Sequence, residues 1–278
     1  MIKKSSSTPS RIWLRDAAEM LAQAGIPSAL LDAEIILAHT LRKSRTWLHA
    51  HSDDGISARE KDIANARLDL RLDRTPIAYI IGHKEFYGRL FKVSPSVLIP
   101  RPESETMIEL LGPLCDGSRQ VLIDVGTGSG CLGITAKLEH PELDVILTDI
   151  SRHALVVAQK NAESLRADVE IITNDLLAPH PALPTHADIV VANLPYVDRN
   201  WDRSPETRHE PSVALFAAKN GLALIERLLQ QTASYLSPAG HLLLEADPEQ
   251  HARIIEKAGL FGYEHRATDG YCVVLRYH

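Results

Sequence analysis

From Gln120 to the C-terminus, short apolar runs alternate with amphipathic stretches, and no other feature constrains the fold as strongly. QVLIDVG, DVILTDI, VEIITN, ADIVVAN, HLLLEAD and YCVVLRY each read as a strand: rich in Val, Ile and Leu, bounded by polar or turn residues, and too short for a helix. Helices are expected over Cys131–Glu139, His153–Leu165, Asn220–Tyr235 and Pro248–Ala258. Strands separated by helices of this length pair in parallel through right-handed crossovers, which gives an α/β fold with a doubly wound, mostly parallel sheet. Ligands of such sheets bind beyond the carboxyl ends of the strands, so the strand tips are the places to look for chemistry.

The first 75 residues have a different, helical character. Ser10 is expected to cap a helix over Arg11–Ala24, which Gly25 and Pro27 end. Ser28 opens a second helix through Leu41. Ser57 and Glu60 have capping-box spacing, ahead of an expected apolar stripe of Ile63, Ala66 and Leu70. Arg67, Arg71 and Arg74 read as a solvated face. The expected organisation is therefore a small helical bundle over 1–75, a hairpin and connector over 76–102, and the α/β domain over 103–278. The hairpin is HKEFYGRLFKV, turning at Gly88 and Arg89. The connector VSPSVLIPRPESE carries three prolines, which stiffen it in an extended form. Arg101 reads as an ion-pair anchor for this connector, and Glu103 and Glu105 as caps of the helix that follows.

Composition excludes several classes. Hydrophobic residues make up 45% and charged residues 24%, an ordinary globular balance, and no apolar run reaches the roughly 20 residues of a membrane span. The opening MIKKSSSTPSR has no apolar core of a secretory signal and reads as a disordered tail. Three scattered cysteines fit a reducing, cytoplasmic setting without disulfides, and no Cys or His pair has metal-ligand spacing, so no metal is expected. Residues 1–75 carry 12 Lys/Arg against 10 Asp/Glu, and the remainder 18 against 26, for a net charge of −6. A larger part at −8 argues against stable nucleic-acid binding.

Four strand-tip motifs carry the chemistry. DVGTGSG, Asp124–Gly130, feeds a helix N-terminus, where free N–H groups and permissive glycines favour close approach of a ligand. Gly128, Gly130 and Gly133 fit the dinucleotide spacing G-x-G-x-x-G, while Gly126, Gly128 and Gly130 equally fit the G-x-G-x-G of S-adenosylmethionine binders. Asp149, ending DVILTDI, is placed to accept both hydroxyls of a ribose, a role common to both cofactors. NDLL, Asn174–Leu177, lies where an adenine would sit, with Leu176 against the base or Asp175 simply capping a helix. The last motif is ANLPYV. Pro195 has no N–H and forces Leu194 into an extended conformation, so carbonyls here can point outward. With the Asn193 side-chain oxygen they form an acceptor pair that matches the two N–H bonds of a planar amide or aromatic amine, and Tyr196 offers that group a flat face. Hydride transfer needs no such arrangement; methylation of a planar nitrogen does.

On these residues the chain resembles the release factor glutamine N5-methyltransferases (the HemK type). FYGRLFKVSPSVLIPRPESE, DVGTGSG with TDIS, ANLPYV, EPSVALFAAKNGL and LLLEA carry the likeness, which covers nearly the whole chain. It implies a Rossmann-like class I methyltransferase domain. The implied reaction moves a methyl group from S-adenosyl-L-methionine to the glutamine of the Gly-Gly-Gln loop in peptide chain release factors. By position, Gly126, Thr127, Gly128, Ser129 and Gly130 would hold the methionine part of the cofactor, Asp149 the ribose, and Leu176 the adenine edge. Asn193 would touch cofactor and substrate, and with Leu194, Pro195 and Tyr196 would hold the glutamine; Asn193, Pro195 and Tyr196 would carry the catalysis. No Cys, Lys or His near this motif stands out as a base. A cytoplasmic monomer is expected, its N-terminal helices helping to dock the factor.

The chain departs from the family pattern in three places. Leu194 replaces the first proline of N-P-P-Y, LLLEADPEQ stands where a Glu-Ile-Gly run is usual, and Leu176 takes a position that is often aromatic. If Leu194 only loosens the loop, the cost is on the order of 1 kcal/mol of preorganisation. If it enters the glutamine slot, the chain becomes a binding protein without turnover. An adenine N6-methyltransferase acting on nucleic acid is the other alternative, since its target is also a planar NH2.

Overall fold

The computed structural model describes residues 8–198 and 200–278. The tail expected over the first residues lies, up to residue 7, outside the described ones. Two compact units are present: residues up to Gly82 together with Ser204–His209, and His83–Arg203 together with Glu210–His278. Among the described residues no helix is long and apolar enough to cross a membrane.

The first unit holds helices α1 (Ser10–Gln23), α2 (Ala29–Leu41), α3 (Arg45–Ala50), α4 (Ala58–Leu72) and α5 (Ile77–Ile81). The two-residue strands β1 (Thr8–Pro9) and β2 (Gly55–Ile56) pair antiparallel. Trp13, Leu21, Ile36, Leu37, Leu48 and Leu68 form its core. The Ser57–Glu60 capping box is formed. Three expectations fail here. Ser10 caps nothing; its hydroxyl donates to the carbonyls of His51 and Ser52, and α1 starts one residue earlier than expected. The stripe of Ile63, Ala66 and Leu70 faces outward, with Ile63 39% and Leu70 49% exposed, while Ala64, Leu68 and Arg71 face in. The arginines are not a solvated face. Arg71 is buried and donates to Asp32 at 2.7 Å and to Glu206 at 3.0 Å, Arg67 donates to Thr40, and Arg74 to the carbonyl of Ala24. Paired carboxylates compensate the loss of water around the guanidinium, so a charged residue takes the inner face that periodicity assigns to aliphatic ones.

The second unit opens with a hairpin, β3 (His83–Phe86) and β4 (Arg89–Lys92). Its turn is Tyr87–Gly88, one residue earlier than expected, and Phe86 packs edge-on against Phe91. The proline-rich connector then runs to α6 (Glu105–Leu111). Arg101 anchors it as expected, by an ion pair of 2.6 Å to the buried Glu210. The two acids expected as caps behave otherwise: Glu105 accepts from the Tyr87 N–H, and α6 has no side-chain cap.

β5 (Val121–Val125), α7 (Cys131–Glu139), β6 (Asp144–Asp149), α8 (Arg152–Leu165), β7 (Glu170–Thr173) and β8 (Ala187–Ala192) follow the expected alternation. After them come α9 (Ser212–Leu215), α10 (Ala223–Thr232), β9 (Leu236–Glu245), α11 (Pro248–Gly259), β10 (Tyr263–Asp269) and β11 (Cys272–Tyr277). The sheet order is β10-β11-β9-β8-β5-β6-β7, parallel from β9 to β7, with β11 and β10 antiparallel. β10 escapes the reading of apolar runs because YEHRATD lies at the sheet edge and exposes most of its side chains. Alternate residues feed two layers: Ile123, Val125, Val190 and Leu242 on one face, Leu122, Val191 and Leu243 on the other. The chain reverses direction of winding between β5 and β8, so the crevice at their carboxyl ends is where a ligand fits.

Candidate active site

A cavity of about 270 Å³ opens at that crevice, close to the lower end of the ~300–1,000 Å³ usual for small-molecule sites. Gly126, Thr127, Gly128 and Ser129, Asp149, Leu176, and Asn193, Leu194 and Pro195 all line it. Four separate strand tips thus contribute to one space. Two predicted residues stand back from it. Gly130 ends the loop as the residue before α7, packed against Ile134 and Ala158, and Tyr196 follows Pro195 without lining the cavity.

The glycine loop is pinned from below. The N–H groups of Gly126 and Thr127 both donate to the carbonyl of Thr148, each at 2.9 Å. Gly126 has φ +73°, a region that disfavours a Cβ, and a Cβ there would sit 2.9 Å from Cδ2 of Leu194. The loop therefore needs glycine for its backbone and for the leucine beside it. Asp124, at the end of β5, accepts from Thr127 Oγ1 at 2.6 Å and from the Gly133 N–H at 2.9 Å through one oxygen; the other finds no partner among the described residues. Burial pushes its carboxyl up to about 6, and the nearby Asp149 charge adds to this.

Asp149 accepts the Gly128 N–H at 3.0 Å through one oxygen and the Ser151 N–H at 2.8 Å through the other. Each oxygen keeps acceptor capacity for a ligand hydroxyl. Burial raises this carboxyl above the ordinary aspartate range despite those two bonds. Leu176 sits at φ +51°, buried, with the Asn174 amide bonding its carbonyl at 3.1 Å and that of Ala178 at 3.0 Å. Asp175 caps no helix; it pairs with Arg227.

At the tip of β8 the Asn193 amide donates to Ser104 Oγ at 3.2 Å. Ser104 donates in turn to Glu245, which also accepts the Tyr196 phenol at 3.2 Å. Leu194 is 4% exposed and joins the core cluster of Val125, Leu176 and Leu222. Its side chain forms wall and core beside Gly126. The Tyr196 carbonyl is taken by Gln250 Nε2 at 2.9 Å, whereas among the described residues no hydrogen bond reaches the carbonyls of Leu194 or Pro195. Ser104, Glu245 and Gln250 were not singled out as site residues by motif reading. Cys131 also lines the cavity, though it lies far from the ANLPYV motif in sequence; burial, with the Asp124 charge, pushes it up to about 12, so it does not stand out as a base.

The chain is similar to known proteins. A family described as "PrmC N-terminal domain" matches residues 13–82, and one described as "Methyltransferase small domain" matches 104–209. A release factor glutamine methyltransferase of Koribacter versatilis is 39% identical over 242 residues, covering 84% of this chain and 86% of that protein. One of Deinococcus radiodurans is 33% identical over 258 residues, covering 91% of each. Among solved structures, a methyltransferase from Pyrococcus furiosus superposes with TM-score 0.53 at 18% identity, over 76% of this chain and 96% of its own. The Thermus thermophilus 16S rRNA N2 G1207 methyltransferase, solved with AdoMet and guanosine, does so with TM-score 0.52 at 19% identity, over 70% and 49%. These two likenesses establish the Rossmann-like methyltransferase fold of the sheet domain. With relatives this similar over more than four-fifths of its length, the chain belongs to the release factor glutamine methyltransferase family.

Proposed function

We propose that the protein transfers a methyl group from S-adenosyl-L-methionine to the side-chain amide nitrogen (N5) of the glutamine in the Gly-Gly-Gln loop of peptide chain release factors. One observation carries the reading: Asn193, Leu194 and Pro195 line the same cavity as the glycine loop and Asp149, and Leu194 packs into the core beside Gly126. That packing supports the view that the leucine costs rigidity only, and it favours a site with turnover.

The residues present fit the cofactor. Gly126–Ser129 bring backbone to the cavity wall without bulk, the orphaned Asp124 oxygen lies buried beneath them, and Asp149 has lone pairs left for two hydroxyls. Leu176 would border the adenine. When bound, S-adenosyl-L-methionine supplies an electrophilic methyl group on a sulfonium. Everything else falls to this chain. A glutamine amide is a weak nucleophile, its nitrogen lone pair being delocalised into the carbonyl, so positioning is the main contribution. Asn193 Oδ1 and the Pro195 carbonyl would accept the two amide N–H bonds and favour positive charge as it develops on nitrogen. Tyr196 would offer the amide plane a flat face. No side-chain base is needed, since the proton departs after the nitrogen has gained its methyl, and the Cys131 thiol stays protonated near neutral pH.

The test is to incubate the purified chain with isotopically labelled S-adenosyl-L-methionine and a peptide chain release factor, then map the product by mass spectrometry. A single methyl group on the Gly-Gly-Gln glutamine is expected. An unmodified factor, or preferential labelling of duplex DNA supplied alongside, would overturn the proposal.

A further inference from the structure

The last parallel strand contributes a carboxylate for which the reaction above has no use. Glu245 ends β9, is 2% exposed, and stands beside the tip of β8 because Ala192 and Leu244 are register partners. Ser104 of the connector and the Tyr196 phenol both donate to it, and the Asn193 side chain bonds to it as well. An ionised carboxylate only accepts hydrogen bonds. The Ser104 proton is therefore committed to Glu245, which leaves Ser104 Oγ an acceptor on its Asn193 side. Asn193 must present Nδ2 to this pair, as it does at 3.2 Å to Ser104. Its other end, Oδ1, is then the end that addresses the cavity.

We propose that Glu245 is a positioning residue that fixes the orientation of the Asn193 amide through Ser104, so that an acceptor and not a donor meets the substrate amide. The inference rests on the proposed amide methylation for its catalytic consequence, but the orientation itself is independent of it. A glutamine at 245 can donate to Ser104, which can then donate to Asn193, and the amide turns over. Its NH2 would face the N–H bonds it is meant to accept. The same reversal follows protonation of Glu245. Burial raises this carboxyl above the ordinary glutamate range against the bonds from Ser104, Tyr196 and Asn193, and the exposed Glu103 of the connector adds to the rise. The remaining titratable neighbours are Cys131 of α7 and Cys272 of β11, whose thiols burial keeps protonated, each near 12.

Two readouts test this. In steady-state assays, Glu245→Gln is expected to lower kcat by about 30-fold, by analogy with the roughly 10–100-fold that losing an outer hydrogen-bond partner costs a metal-ligating side chain. The KM for S-adenosyl-L-methionine should stay within about two-fold, since Asp149 and the glycine loop are untouched. The kcat of the wild-type protein should fall on acidification along a limb that the variant lacks. In the second readout, the Asn193 side-chain NH2 is followed by nitrogen-edited NMR. Its exchange protection in the wild type should be lost as pH falls through the Glu245 titration, and Glu245→Gln should lose it at every pH. An unchanged kcat, an acid limb that persists in the variant, or an Asn193 amide indifferent to pH would overturn the proposal. If the variant does not fold, the wild-type amide titration decides alone. If no release factor is methylated, the proposed reaction fails while the amide titration still decides the role of Glu245.

Discussion

Truncating Leu194 to alanine separates two roles for this side chain. A leucine projecting into the substrate slot would contribute little to stability, whereas a leucine in the core contributes heavily. Here it is 4% exposed, belongs to the cluster of Val125, Leu176 and Leu222, and stands 2.9 Å from where a Gly126 Cβ would lie. Leu194→Ala removes three carbons from that cluster. The lost transfer free energy and the residual cavity together put the cost at about 2–5 kcal/mol, toward the lower end because one flank opens on the ligand cavity and can take in water. At about 2–4 °C per kcal/mol, a loss of about 2–3 kcal/mol should lower the melting transition of the sheet domain by roughly 4–12 °C. Scanning calorimetry, with urea unfolding to give the free energy at constant m-value, measures both quantities. A loss below about 1 kcal/mol, the size expected of a surface leucine, would refute the placement of Leu194 and with it the argument that its replacement of proline is tolerated. Addition of the cofactor should recover part of the loss by mass action, since the binding site and the damaged wall are one.

Three further outcomes follow. Asn193→Ala should lower kcat on a Gly-Gly-Gln substrate by on the order of 100-fold or more, as loss of one aimed hydrogen-bonding group at developing charge does, while leaving the melting temperature within a few degrees; turnover with labelled cofactor checks this. Asp149→Asn should weaken cofactor affinity by about 10–100-fold, the equivalent of one charge-assisted hydrogen bond, measured by titration calorimetry. In the helical unit, Glu206 is held down near 2: its partial burial works upward, but bonds from Ser204 and Arg71 outweigh it. A depressed folded-state value means that its stabilisation is complete above the ordinary glutamate range and drains away as pH drops toward 2. Acid unfolding of Glu206→Gln should therefore be flatter than wild type between about pH 4.5 and 2.

Much of the sheet domain was legible because its signals are local. α7 begins and ends at Cys131 and Glu139 as expected, and the strands from QVLIDVG to ADIVVAN fall within a residue or two of their apolar runs. DVGTGSG and Asp149 could be read as a site because glycine at a strand-to-helix turn and an acid at the next tip have chemical meaning in isolation. Ser104 and Glu245 had none. Glu245 reads as the polar end of a strand until sheet order sets β9 against β8, and Ser104 reaches Asn193 from 89 residues away in sequence. The outward stripe of α4 failed for a related reason: periodicity counts aliphatic residues, and what occupies the inner face is an arginine whose acceptability depends on Asp32 and Glu206. β10 was missed since an edge strand has no apolar run to find.

The composition of the helical unit has a consequence for biogenesis. Arg71 bonds a carboxylate made 135 residues later, on the segment Ser204–His209 that completes this unit. During synthesis the nascent bundle therefore holds Arg71 on Asp32 alone, one of its two carboxylate partners, until most of the sheet domain has left the ribosome. A fragment ended at Gly82 would inherit that deficit permanently. Removing one partner of a buried ion pair costs about 3–5 kcal/mol, lessened here because Asp32 remains, so the isolated bundle should melt well below its counterpart in the intact chain.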